Sequence, residues 1–162
     1  MADIPDQCSP AYEEQRLTAL AGYEILDTPE DAAFDEIAEV ASLICEAPIA
    51  VINFVDRDRQ WFKSVKGLGV RETPLDISIC AHAILQPGLF VVPDTTLDAR
   101  FINNPLVTGE PYLRFYAGAL LESHDGLNWS NWSGHPDKPH TGGIGGVHDQ
   151  ENATSVLRRI QG

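Results

Sequence analysis

The 162 residues are 43% hydrophobic, 22% charged and 8% aromatic, which suits one globular domain with a sizeable core and hardly two. The net charge of −13 is uneven: 21 acidic and 8 basic residues precede Asn128, and 3 of each follow. So acidic a surface, with no basic stripe, repels phosphate backbones and anionic headgroups, and neither nucleic acid nor membrane is expected as a partner.

The opening "MADIPDQCSPAYEEQ" has no positive n-region and no apolar h-region, and no apolar run is long enough to span a bilayer. Three widely spaced cysteines (Cys8, Cys45, Cys80) suit reduced thiols in a cytoplasm better than a disulfide frame. The Asn-x-Ser/Thr triplets at Asn128, Asn131 and Asn152 read as chance in that setting. Residues 1–11, with Pro5 and Pro10 and no period, read as a disordered lead-in. A short amphipathic helix is predicted from Tyr12 to Ala21, stopped by Gly22.

"LDTPEDAAFDEIAEVASLICEAP" carries the clearest helical pattern. Thr28 suits an N-cap, Pro29 the first helical position, and Phe34, Ile37, Ala38, Ala41, Ile44 and Cys45 recur along one face. "IAVINFVD" is a near-continuous apolar run and predicts a central strand. The turn "DRDR" leads into "QWFKSVKG", which alternates, so the two predict an antiparallel hairpin over 49–66. Asp76 is placed to cap a short helix from Ile77 to Leu85. "LFVVPD" predicts a strand, "TTLDARF" a helical turn or two, "NNPLVTGEP" a rigid loop, and "YLRFYAGALLE" a strong strand ending in a turn at Asp125-Gly126. From Asn128 the chain is poor in aliphatic residues and broken by Gly and Pro, which predicts loop, with a short helix over 152–160.

The segments "LTALAGYEILDTPEDAAFDEIAEVASLI", "PIAVINFVDRDRQWFKSVKG", "RETPLDISICAHAIL", "FVVPDTTLDARFINNPLVTG" and "RFYAGALL" occur in this order and closely resemble GAF domains at the amino ends of bacterial signalling proteins, sensor histidine kinases and diguanylate cyclases or phosphodiesterases among them. The resemblance runs from about Arg16 to Gly126. It implies an α+β fold, a central antiparallel sheet with helices on both faces, and a small-ligand pocket on one of them. The hairpin and the strand at 113–121 are expected to lie side by side over that pocket. The family continues after the Asp-Gly turn with an apolar strand, where this chain has "LNWSNWSGHPDKPH". The GAF domain is therefore expected over 12–127 with its final strand atypical or missing, and 128–162 as a tail outside the family. The alternative is that Leu127, Trp129 and Trp132 supply an edge strand.

Cys80 and His82 stand two apart, about 200° around a helix, so the side chains diverge and form neither a catalytic pair nor a chelate. The simpler reading is a small buried thiol and a hydrogen-bonded imidazole. Some GAF relatives attach bilins through a Cys-His neighbour pair, which Ala81 interrupts here. Others reduce free methionine sulfoxide with an attacking and a resolving thiol, and neither Cys8 nor Cys45 is an evident resolving partner. Asn53 interrupts an apolar strand on the face of Val51 and Val55 and needs a partner, a ligand being one choice. Trp61 and Phe62 point to opposite faces, and Lys63 fits a solvated rim. Asp98 and Arg100 suit capping and ion pairing. His124, His135, His140 and His148 fit no zinc spacing, and no metal site or catalytic residue is expected.

Strand alternation and the roofing loops give Asn53, Trp61, Cys80, His82, Asp94, Phe101 and Tyr116 as candidate ligand-binding residues. The resemblance implies a non-catalytic regulatory domain that takes an unidentified small ligand, has no fixed cofactor, and works with an output kinase or cyclase domain in a longer protein. A methionine sulfoxide reductase-like enzyme, or a homodimerisation module with a vestigial pocket, are the other readings.

Overall fold

Why one strand can be buried throughout is answered by what covers it. A computed structural model describes residues 9–44, 46–85, 89–122 and 128–135. Helices α1 (Pro10–Gly22) and α2 (Ala32–Ile44) precede strands β1 (Ile49–Val55), β2 (Arg59–Lys66) and β3 (Glu72–Pro74). A 3-10 turn (Leu75–Ile77), α3 (Cys80–Ala83), β4 (Leu89–Val92), α4 (Pro105–Thr108), β5 (Tyr116–Glu122) and β6 (Asn128–His135) follow. All described pairings are antiparallel, and the six strands run β3-β2-β1-β6-β5-β4. Every residue of β1 is buried because α1 and α2 cover one face and α3 with its loops the other. On the helical face Leu20, Phe54 and Trp61 pack together. On the other, Val51, Phe62, Cys80, Phe90, Phe101 and Tyr116 belong to the largest cluster.

The expected hairpin is present, with one feature that alternation alone does not give. Ile52 pairs with Ser64 but Asn53 with Phe62, so Lys63 is an extra residue in β2. That bulge puts Trp61 opposite Phe54 on the helical face and Phe62 opposite Asn53 on the other. Lys63 is buried, not a solvated rim charge: its ammonium donates to Thr28 Oγ1 (2.9 Å) and the Pro29 carbonyl (2.7 Å). Thr28 is thereby engaged elsewhere and does not cap α2. Asp31 does that, accepting from the Ala33 amide at 2.9 Å.

Other boundaries move for equally local reasons. α1 begins at Pro10, with Ser9 Oγ accepting from the Tyr12 amide, so helix reaches into the expected lead-in. The helix expected over 77–85 is two pieces, because Ser78 is extended and its hydroxyl accepts from the Ala81 amide; Asp76 caps nothing there. "NNPLVTGEP" holds the single turn α4, capped by Asn104 Oδ1 on the Leu106 amide and started by Pro105.

The main correction is β6. Residues 128–135, expected to open a loop-rich tail, form a strand, and a central one: it pairs with β1 from Ile49↔His135 to Phe54↔Ser130 and with β5 from Ala117↔Gly134 to Glu122↔Asn128. The hairpin and β5 therefore share one sheet but are separated by β6 and do not lie side by side. A strand flanked on both sides has every backbone donor and acceptor within reach of a neighbour, so ladder hydrogen bonds stand in for apolar side-chain content. Residues 1–8 and 136–162, with Cys8, Cys45, the Asp125-Gly126 turn, Leu127, His124, His140, His148 and the expected helix 152–160, lie outside the described residues.

Candidate functional site

Strand alternation aims Val51, Asn53 and Val55 at the face opposite α1 and α2, and the hairpin register adds Gln60 and Phe62. Above them the segment from β3 to α3 brings Thr73, Ile79 and Cys80, α4 brings Leu106, and the loop between α4 and β5 brings Glu110, Pro111 and Leu113. Between these lies a pocket of about 490 Å³ that also touches Gly67 to Val70, Glu72 and Tyr116. Its walls are largely apolar, with a few polar groups.

The polar groups converge on one sulfur. Cys80 is a buried cysteine whose Sγ accepts from Gln60 Nε2 at 3.0 Å, Tyr116 Oη at 3.1 Å and Asn53 Nδ2 at 3.5 Å. Ser78 Oγ donates to Gln60 Oε1, which holds the amide with its nitrogen toward the thiol. Thr73 lines the pocket, and its Oγ1 is buried and without a partner among the described residues. Tyr116 reaches Cys80 because Gly118, two residues along the same face, leaves room for its ring: a Cβ there would stand 2.6 Å from the Tyr116 hydroxyl oxygen. At Gly67 φ is +80° and a Cβ would meet the Pro48 carbonyl oxygen at 2.1 Å, so only glycine closes β2 at the pocket's edge.

Of the seven candidates, Cys80 and Tyr116 line the pocket and Asn53 stands directly behind the thiol. Trp61 lies on the opposite face beneath α1, against Leu20 and Phe54. Phe101 is fully buried in the pocket-side core but does not line the hollow. His82 is exposed, its ring edge-on to Phe101 at 4.9 Å, and diverges from Cys80 as the helical spacing requires. Asp94 accepts from the Thr96 amide at 2.9 Å within its own turn. Asp98 and Arg100 pair at 2.6 Å, and the guanidinium holds the Asp98 carboxyl below its ordinary range. Gln60, Phe62, Thr73 and Leu113 are among the lining residues that sequence reading left out; pairing Asn53 across the hairpin would have pointed to the first two. No group of metal-ligating side chains gathers among the described residues, and no described helix is long and apolar enough to cross a membrane.

No family model matches the chain. Over 119 residues, 74% of its length, it is 45% identical to a cyclic di-GMP phosphodiesterase of Pseudomonas aeruginosa, of which it spans only 20%. Among solved structures it is similar to the GAF domain of a phosphoenolpyruvate-protein phosphotransferase from Coxiella burnetii (TM-score 0.60, 11% identity, 93% of this chain and 92% of that one). It is also similar to the free methionine-R-sulfoxide reductase of Neisseria meningitidis in complex with its substrate (TM-score 0.59, 17% identity, 94% and 92%). Sheet order, layering and these likenesses agree: the chain is a domain of the GAF fold, related to one segment of a bacterial cyclic di-GMP phosphodiesterase.

Proposed function

We propose that this domain is a non-catalytic sensor in the cytoplasm, binding a small molecule in the pocket and biasing an output domain elsewhere in a longer protein. The observation that carries the reading is the hollow of about 490 Å³ between the sheet and α3, within the size range of small-molecule sites and built as they are, apolar walls with a few placed polar groups. The relative's much greater length supports an output domain beyond this one. Ligand acts by favouring one arrangement of a two-state element. The segment from Thr73 to Ala83 suits that role, since it roofs the pocket and meets the sheet through the Cys80 cluster. A ligand panel read by melting temperature tests this: a saturable rise with a metabolite supports the sensor, and no rise across the panel favours a dimerisation module.

The Cys80 thiol in the pocket favours a second reading, an enzyme resembling the methionine sulfoxide reductases. That chemistry needs a partner thiol or an external reductant. Turnover of free methionine sulfoxide with a thiol reductant, abolished in Cys80→Ser, would establish the enzyme and displace the sensor.

A further inference from the structure

The charge on the pocket wall narrows what the pocket takes. Among its lining residues are two carboxylates, Glu72 and Glu110, and no lysine, arginine or histidine. Glu72 shares its charge with Arg59 at 2.8 Å. Arg59 in turn binds Asp27 at 2.7 Å and Asp56 at 3.1 Å, does not line the hollow, and is not free to serve a ligand. Glu110 is exposed at the rim and forms no ion pair among the described residues. A phosphate or carboxylate is ordinarily met by guanidinium, ammonium or the amino end of a full helix. The two helices beside the pocket, α3 and α4, have four residues each. An anion would enter against Glu110 in a protein of net charge −13 and find no counter-charge on the wall.

We propose that the pocket takes an organic cation, an apolar or aromatic body seated among Phe62, Ile79 and Leu113 with an amine held at the Glu110 rim, and that it rejects anions, cyclic dinucleotides included. The inference rests on reading the pocket as a small-molecule site. A body of fixed shape carrying different charges tests it: indole, tryptamine and indole-3-acetate, with cyclic di-GMP as a fourth probe, titrated calorimetrically at low ionic strength. Tryptamine is expected to bind at least about fivefold more tightly than indole, and indole-3-acetate more weakly than either. Glu110→Gln, an exposed substitution whose fold is checked by circular dichroism, is expected to bring tryptamine close to indole, and added salt to do the same. Tighter or equal binding of indole-3-acetate, binding of cyclic di-GMP in this hollow, or a tryptamine preference unmoved by Glu110→Gln overturns the cation while leaving the pocket standing. If even indole fails to bind, the pocket reading falls with it.

Discussion

At the scale of single residues, the centre of the site is the sulfur of Cys80 and the donors around it. Sulfur is a weak acceptor, so the donors fix the thiol's position more than they add stability, but removing it takes one acceptor from each of them. Cys80→Ala is expected to cost about 1–3 kcal/mol in urea denaturation, and Cys80→Ser, which keeps an acceptor, clearly less. Gly118→Ala forces the wholly buried Tyr116 ring off its seat and is expected to destabilise by about 1–3 kcal/mol, with the Tyr116 environment changed in near-ultraviolet dichroism. Residue pattern made much of this legible. Asn53 stood out as polar on an apolar strand, and the divergence of Cys80 from His82 followed from helical geometry. The choice between Trp61 and Phe62 did not, because it depends on hairpin register and on the extra residue at Lys63, which no local propensity encodes.

At the scale of elements, α1 is fastened to the end of β1 by one side chain. Arg16, only 1% exposed, donates to the Val55 carbonyl and holds Glu13 through two bonds of 2.8 and 2.7 Å. Arg16→Met removes the bond to the strand end and is expected to lower stability by about 2 kcal/mol in chemical denaturation, the figure for a hydrogen bond from a charged group. A variant within about 0.5 kcal/mol of the parent would show that α1 is held by packing alone. Helix α2 and the β1–β2 hairpin were readable from period and length, whereas β6 was legible only as the alternative of an edge strand through Leu127, Trp129 and Trp132, and its central position was not. "NWSNWSGH" lacks the apolar alternation that signals a strand, and its central place follows from pairing with β1, distant in sequence, as well as with β5 just before it. Ser133 pairs with both Val51 and Gly118, so Ser133→Pro removes a donor from mid-sheet and is expected to leave the chain without cooperative unfolding. A folded Ser133→Pro protein would contradict the central position of β6.

At the scale of the whole molecule, the acidic surface and the layered sheet make separable claims. The ordinary carboxylate range is depressed by guanidinium partners at Glu13, Asp27 and Asp98, paired with Arg16, Arg59 and Arg100 respectively. A lowered folded-state value means that the unfolded chain takes up protons first. The contribution is therefore complete above about pH 5 and is lost as pH falls through the folded values. Thermal stability is expected to decline below pH 4.5, with a smaller decline in Arg16→Met, in which the Glu13 share is absent. Fold class was legible because several long segments keep their order, while the pocket's walls are assembled from loops whose approach only tertiary structure determines. The claim on which function depends is that this hollow is the receptor site, and filling it is the direct test. Leu106 lines the pocket and is partly buried, so Leu106→Trp fills the space with little demand on the core. Melting temperature with and without a binding ligand is predicted to shift in the parent and not in Leu106→Trp, the unliganded proteins melting within a few degrees of each other. A ligand-induced rise of the same size in both proteins would mean that the ligand binds elsewhere and would contradict the account.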